Sequence, residues 1–427
     1  MRRRCAMVLA LLGGVPMVAQ AQDTIPTGVR IGLTYAAGTR PGVFVAGVAG
    51  ANGDSVRAIL QRDLDFGDRL TVIAAATGEA PTGALNYPLY ARLGAAAVVQ
   101  ASVTPAGALH VVLHDVAAQR VLNVADYPLP AALSPEWRLT LHGASDEIER
   151  WITGQRGTAQ TRILFVREQR LWSVDSDGAN AQPLAGVGSA LSPAWHPSGR
   201  YIAYVALADD GTHVVFRDLR AGSAKRVSTR LGSNSSPAFS PDGATLVFAS
   251  GDDGTDLFAS QPFEGEGPRR VTVGRGTTNT QPSFSPDGRR IAFTSGRLGH
   301  PELYITDADG TNADLLTTTG FGDQLYRSNP DWSPDGRVVA FQSQIDGVFQ
   351  VMTISLRDRS VRQLTSDGRN EDPSWAPDGR HLVFTSQRSG AKQLWVLDVE
   401  SGRTRQLTRG AAARMGAWSP RLDPSAR

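Results

Sequence analysis

The chain has 427 residues, with 43 Lys and Arg against 41 Asp and Glu, seven histidines and one cysteine. Cys5 precedes the first apolar stretch, so the chain beyond it has no disulfide, no thiol nucleophile and no thiolate metal site. Near-balanced charge argues against a nucleic-acid or anionic-membrane surface, and 45 glycines with 25 prolines suit a turn-rich β protein.

At the N-terminus, Arg2, Arg3 and Arg4 form a positive region, an apolar stretch follows from Ala6 to Val18, and Ala19-Gln20-Ala21 is a cleavage site. Residues 1–21 therefore read as a secretory signal peptide, too short to span a bilayer. Its removal takes away three arginines and no acid, which turns a formal charge of +2 into −1. Residues 22–27 read as a flexible mature tail. No cysteine follows the apolar run, so an acyl anchor is not expected.

Residues 28–156 predict a small α/β domain. VRIGLTY (29–35) reads as a strand. DSVRAILQRDLDF (54–66) reads as a helix, with Val56, Ile59, Leu60 and Leu64 at helical spacing and Asp54 as its cap. RLTVIAA (69–75) is a strand and LYARLG (89–94) the end of a short helix. AAVVQASV (96–103) and LHVVLHDV (109–116) predict a hairpin around Pro105-Ala106-Gly107, with a third strand at 120–127. Ser134 as cap and Pro135 as first residue open an amphipathic helix bearing Trp137, Leu141, Ala144, Ile148 and Trp151. The junction Gly157-Thr158-Ala159-Gln160 is short enough to bring the next domain against this one.

Residues 160–422 carry a repeat. PAWHPSGR, PAFSPDGA, PSFSPDGR, PDWSPDGR, PSWAPDGR and AWSPRL place Pro197, Pro241, Pro286, Pro334, Pro377 and Pro420 at spacings of 44, 45, 48, 43 and 43 residues. That period fits a four-stranded propeller blade. In the turn, proline presets φ, the Asp or Ser oxygen bonds the backbone, and glycine accepts positive φ. Strands such as TLVFAS, LYITD and a closing RVT or QLT follow. A further strand set, RILFV and LWSVD (162–175), lacks a preceding turn, and Ala417–Leu422 has no strands after it. The two are expected to complete one blade and close a six-bladed ring without a free edge. The fold class is an all-β six-bladed propeller preceded by a small α/β domain, with residues 423–427 as a C-terminal tail.

Catalytic and metal motifs are sparse. His110, His114, His142, His196, His213, His300 and His381 fall in no H-E-x-x-H pattern. His110 and His114 share a strand face roughly 13 Å apart, too far for one ion. His196 stands for the serine of its repeat and is expected in a turn at a blade mouth. DSDG from Asp175, DDGTD from Asp252 and DADG from Asp307 read as turns, since none continues into a twelve-residue calcium loop. A calcium ion in the propeller tunnel is the alternative. No G-x-S-x-G elbow, P-loop or dinucleotide fingerprint occurs. No cofactor is expected.

The motifs P-[AS]-[WF]-S-P-D-G, [IL]-[AV]-F-x-S, L-Y-x-x-D and R-x-L-T resemble the TolB propeller family. LYARLGAAAVVQASVT (89–104), LHVVLHDVAAQRVL (109–122) and HGASDEIERWITGQRGTAQTRILFV (142–166) resemble the family's front domain and its passage into the first blade. Ala417-Trp418-Ser419-Pro420 matches the closing motif, so the resemblance covers residues 28–422. It implies a non-catalytic periplasmic component of the Tol–Pal envelope system. In that family the propeller binds Pal, a peptidoglycan-associated outer-membrane lipoprotein. The tail and front domain communicate with the inner-membrane protein TolA, in envelope integrity and cell division. The chain is expected to act as a monomer, touching membranes only through partners.

The resemblance also places a partner-facing mouth loop at residues 275–282. Thr278 lies in it, Asn279 and Thr280 match the family, and Gln281 stands where a glutamate is usual, which removes a charged contact. The equivalent loops hold Asn234, Asn329, Asn370 and Glu371. These are the candidate protein-binding residues; alternatively the asparagines serve only the turns. In the tail, Val29, Arg30 and Ile31 keep a fragment of the segment that contacts TolA, and would act by adding a strand to a partner's sheet edge. Two other functions fit the same repeat. One is a periplasmic propeller that binds a peptide, glycan or small ligand; the other is an enzyme with acid–base residues at the tunnel mouth.

Overall fold

The computed structural model describes residues 27–30, 33–36, 39–74, 85–228, 232–265, 267–274, 277–317 and 326–423, the first two stretches as backbone alone. The expected signal peptide, the expected tail up to residue 26 and Ile31 lie outside the described residues. No helix among the described residues is long and apolar enough to cross a membrane.

The stretch read as one strand at 29–35 is two: β1 (Thr27–Arg30) pairs with β2 (Leu33–Ala36) as a separate two-stranded ribbon. The main sheet begins with β3 (Gly42–Ala49), which the sequence reading did not find. Val43, Phe44, Val45 and Ala46 are all buried, because helices cover both faces of the sheet. A strand buried on both faces has no alternation to betray it. Gly42 is required there, since a Cβ would stand 2.3 Å from the carbonyl oxygen of Gly94.

Helix α1 (Gly53–Phe66) follows. It is capped by Asn52 in a left-handed conformation rather than by Asp54, which lies in the first turn. The strand expected at 69–75 is short, β4 (Thr71–Val72), parallel to β3. Helix α2 (Tyr87–Arg92) starts two residues before the expected LYARLG, with Asn86 accepting from Leu89 N–H. Then come β5 (Ala95–Val103), β6 (Ala108–Asp115) and β7 (Arg120–Pro128), giving the order β4-β3-β5-β6-β7. Helix α3 (Pro135–Thr153) has the expected cap, Ser134 Oγ accepting from Trp137 N–H. Its apolar stripe packs with α1 on one face of the sheet. Its other side is also buried, yet polar: His142, Ser145, Asp146 and Glu149 are each at most 2% exposed. That side meets the propeller.

The propeller has six four-stranded antiparallel sheets. Blade 1 joins residues 162–183 to the last strand, Ala413–Trp418, which supplies its inner edge. Blades 2 to 6 span 190–226, 233–270, 279–315, 327–363 and 370–406. Equivalent second-strand positions carry Phe165, Tyr204, Phe248, Phe293, Phe341 and Phe384, all buried. Each contributes roughly 1.5–3 kcal/mol by leaving water.

Two motifs have a local cause. In the S-P-D-G turns, Ser240 Oγ donates to Asp242 Oδ1 and accepts from Thr245 N–H, and Ser285 with Asp287 and Ser333 with Asp335 repeat this. In blades 2 to 6 a closing threonine or serine ties the fourth strand to the third. Thr272, Thr317, Thr365 and Thr408 accept from the backbone N–H of Leu257, Leu303, Val351 and Leu394. They donate to Asp256, Glu302, Gln350 and Gln393.

Candidate partner-binding mouth

The front domain sits on one end of the propeller, over blades 6 and 1. Arg69 lies 2.9 Å from Glu149 and 3.2 Å from Asp378, Arg403 reaches Asp65 at 2.7 Å, and Arg138 contacts Asp175 at 3.5 Å. These propeller groups belong to turns that follow inner strands or join third to fourth strands. An inner strand that ends on this side begins on the other, so all six start at the opposite mouth.

At that mouth every inner strand has a bulge, seen as a register shift against its neighbour. The bulge residues Ser192, Ser236, Gln281, Asn329, Asp372 and Met415 are all left-handed, with φ between 46° and 56°. The left-handed region costs a non-glycine residue roughly 1–2 kcal/mol. Bulges re-aim side chains, and all six residues line one axial cavity of about 440 Å³. The one sequence signal is the first proline of each repeat: Pro193, Pro237, Pro282, Pro330 and Pro373 directly follow their bulge residues, and Gly416 follows Met415 in the last unit.

The ring is cross-linked between blades. Gln281 Oε1 accepts from Asn329 N–H at 3.2 Å and from Thr294 Oγ1 at 2.8 Å. Asn329 Nδ2 donates to Asp372 Oδ1 at 2.6 Å, and Thr385 Oγ1 donates to Asp372 Oδ2 while accepting from Met415 N–H. Deeper in, Asp331 Oδ2 accepts from Trp375 N–H. Burial pushes Asp331 up to about 6, although Trp375 N–H and the Ser283 and Ser374 hydroxyls oppose it. Asp372 is raised by burial and by nearby Glu371.

The predicted mouth residues divide. Asn234, Asn279 and Asn370 are fully buried. Asn234 Nδ2 donates to the Thr212 and Gly232 carbonyls, Asn279 Nδ2 to Asp256, and Asn370 Nδ2 to Gln350 and the Gly368 carbonyl. These three side chains are turned inward and hold the loops in place, the role of the alternative reading that gave the asparagines to the turns. Glu371 is nearly buried between Arg369 and Lys392. Thr278 is exposed, and Thr280, Gln281 and Asn329 are half-buried at the mouth. Val29 and Arg30 lie in β1.

Around the same mouth stand exposed Val273, Leu298, Tyr326 and Val348, none of them singled out by the repeat. A cleft of about 740 Å³ between blades 4 and 5 is lined by Thr278, Thr280, Gln281, Gln342, Tyr326 and Phe349 among others. A ring of polar groups with an apolar rim is a surface suited to protein contact.

His196 sits in its turn, but on the front-domain side, with Nδ1 at 2.8 Å from Ser198 Oγ and Nε2 at 3.2 Å from the Gly243 carbonyl. His110 pairs with Asp126, and His114 lies between Tyr87 and Gln100. Asp175 and Asp307 close turns through Gly178 and Gly310. Asp63, His142 and Asp177 each bring a donor atom within 4.8 Å of the others. Asp177 Oδ2 already faces Arg62 at 3.0 Å and Arg138 at 2.5 Å, so the group is part of the charge network between domains.

A family profile described as the TolB beta propeller domain matches residues 149–422. The chain belongs to the TolB propeller family. Two curated relatives are the Tol-Pal system protein TolB of Polaromonas naphthalenivorans and that of Alcanivorax borkumensis. They are 35% and 34% identical over 151 residues, 33% of this chain and 34% of each relative. The matched stretch thus spans about a third of the length of these relatives. The crystal structure of TolB from Acinetobacter baumannii superposes with a TM-score of 0.77 at 24% identity, covering 89% of this chain and 97% of that one. It shares the fold of both domains. The chain is thus a TolB-like propeller protein with a front domain of the same fold.

Proposed function

We propose that the protein is a periplasmic scaffold of a Tol–Pal system. Its open mouth binds a peptidoglycan-associated outer-membrane lipoprotein. Its tail and front domain engage a TolA-like inner-membrane protein, in envelope integrity and cell division. The observation that carries the reading is the mouth itself: six left-handed bulge residues at the open end of the axial cavity, several of them cross-linked between blades, with Val273, Tyr326 and Val348 exposed at the rim. Backbone strain of this kind persists where surrounding structure enforces it and marks functional surfaces. Family membership and the names of the relatives support the choice of partners.

The test is a pull-down from detergent-solubilised envelope, comparing the protein with a Thr278→Arg/Thr280→Ala/Gln281→Ala variant. Asn279 is left in place because it is buried. Recovery of a peptidoglycan-binding lipoprotein by the parent but not by the folded variant supports partner and face together. Equal recovery by both moves the site, and no lipoprotein at all rejects the partner. In the last case the cleft beside Tyr326, with its hydroxyls and amides, favours a peptide or glycan ligand.

A further inference from the structure

We propose that His142 and His381 form a proton-operated clamp between the two domains, holding the front domain against the propeller when charged and loosening it when neutral. Each domain contributes one of the rings. His142, on α3, places Nδ1 2.8 Å from Asp63 Oδ2 of its own domain and Nε2 3.9 Å from Asp175 Oδ2 of blade 1. His381, in blade 6, places Nδ1 2.8 Å from Asp378 Oδ2 of its own blade and Nε2 3.3 Å from Asp68 Oδ2 of the front domain. In both cases Nδ1 faces the acid at home and Nε2 the acid across the seam. Both side chains are at most 1% exposed.

This arrangement discriminates between protonation states. An imidazolium has two N–H groups and can serve both carboxylates. A neutral imidazole has one, and its other nitrogen turns a lone pair toward a carboxylate. Losing the proton therefore converts an attraction across the seam into a repulsion for one of the two acids. The weaker contact is the foreign one in each case, at 3.9 and 3.3 Å.

The charges around each ring set the response. Facing His142 are Asp63 and Arg62 of α1, Arg138 of α3, Asp175 and Asp177 of blade 1, and Arg405 of blade 6. Facing His381 are Asp378, Arg380, Arg405, Arg403 and Asp398 of blade 6, Asp68, Arg69 and Arg40 of the front domain, and Glu149 of α3. Burial opposes charging of His142, but Asp63 first, then Asp177 and Asp175, raise it to about 8. Burial likewise opposes charging of His381, and Asp378 and Asp68 raise it to about 9. Both values lie above the ordinary 6.5. The contribution to docking is therefore complete below pH 6.5 and fades as pH rises through 8 and then 9. Asp146, raised to about 7 chiefly by burial, also faces the seam through the Ala159 and Gln160 N–H groups. Its neutral form is favoured in the fold, so its contribution fades between 3.8 and 7, below the histidine range.

The seam has a place to open. A cavity of about 10 Å³, room for one water molecule, is lined by Asp63, Phe66, Gly67, Ser176, Asp177 and Arg405. Among the described residues Asp63 Oδ1 and His142 Nε2 have no hydrogen-bond partner.

The test is the distance between the domains in the full chain, by paired spin labels on Leu93→Cys and Val361→Cys in a Cys5→Ser background. Both labelled positions are exposed, one in each domain. A single short distance is expected at pH 6, with a second, longer population growing in between pH 8 and 9.5. In His142→Gln/His381→Gln the response over that range should vanish. Should that variant not fold, Asp68→Asn removes the foreign carboxylate from His381, together with its charge beside Arg403 and Arg40, and should lower the upper midpoint by roughly one pH unit. A distance unchanged from pH 6 to 9.5, or a response that survives in the double variant, overturns the clamp. An unmoved midpoint in Asp68→Asn does the same.

Discussion

Asp331 Oδ2 accepts the backbone N–H of Trp375 at 2.7 Å, and so joins blade 5 to blade 6 through a carboxylate set in the wall of the tunnel. In blades 4 and 6 the equivalent group is a serine hydroxyl: Ser283 accepts from Trp332 N–H and Ser374 from Trp418 N–H. A neutral oxygen is sufficient for this bond, and the charge of Asp331 is an added cost.

That cost gives a pH prediction. Asp331 is raised from 3.8 to about 6 by burial. The native state binds the proton more tightly, so this contribution is full below pH 3.8 and lost as pH rises through 6. Asp331→Asn keeps the shape and removes the charge. It should be more stable than the parent at pH 7.5 by about 1–2 kcal/mol, the tunnel's access to water having been allowed for, and equal to it near pH 4. Urea unfolding at the two pH values measures this. A variant less stable at pH 7.5 would mean that the donors more than compensate burial.

The seam gives a second prediction. Arg69 is 13% exposed and stands between Glu149 and Asp378, both almost fully buried. Removing one partner from a buried ion pair typically costs about 3–5 kcal/mol. Arg69→Met should therefore destabilise by about 3 kcal/mol at pH 8, with two carboxylates left facing each other. Glu149 is already raised, chiefly by burial, so protonation should relieve the repulsion and shrink the loss at pH 5. Thermal unfolding at pH 5 and 8 reads both values.

A third prediction concerns the blade-closing threonine. Thr408 Oγ1 accepts from Leu394 N–H and donates to Gln393 Oε1, with all partners buried. Thr408→Val keeps the volume and leaves a buried N–H and a buried amide oxygen short of a partner. A loss of about 1–3 kcal/mol is expected in chemical denaturation, against under 1 kcal/mol for Thr408→Ser.

Much of this was legible because each repeat states its own physics. Six anchors at near-constant spacing, alternating strands and an orphan strand set at 162–175 determine six closed blades, and Ser134-Pro135 marks the start of α3. Strand β3 escaped because GVFVAGVA is apolar on both faces and flanked by glycine, a pattern that does not alternate. The three buried asparagines show the limit of reading loops by composition. A polar residue in the loop ahead of a repeat, such as Asn279 three before Pro282, can face solvent or the blade interior, and only the chain's path decides. The bulge ring left one mark, the proline that follows residues such as Ser192 and Gln281, but nothing in that proline tells a left-handed bulge from an ordinary strand start. The docking blade did leave one. Blade 6 replaces the turn serine with Ala376 and places His381 after the turn. Asp378 then holds His381 and Arg69 where Asp242 and Asp287 hold a serine.

The most direct measurement of the central claim is a calorimetric titration of a purified peptidoglycan-associated lipoprotein domain into this protein and into two folded variants. Val273→Asp/Tyr326→Ala changes the open mouth, and Leu133→Asp changes an exposed residue of the front domain. Loss of at least tenfold in affinity for the mouth variant, about 1.4 kcal/mol or more, with parent-like binding by Leu133→Asp, is the predicted result. Parent-like binding by the mouth variant, or no binding by the parent, would contradict the account.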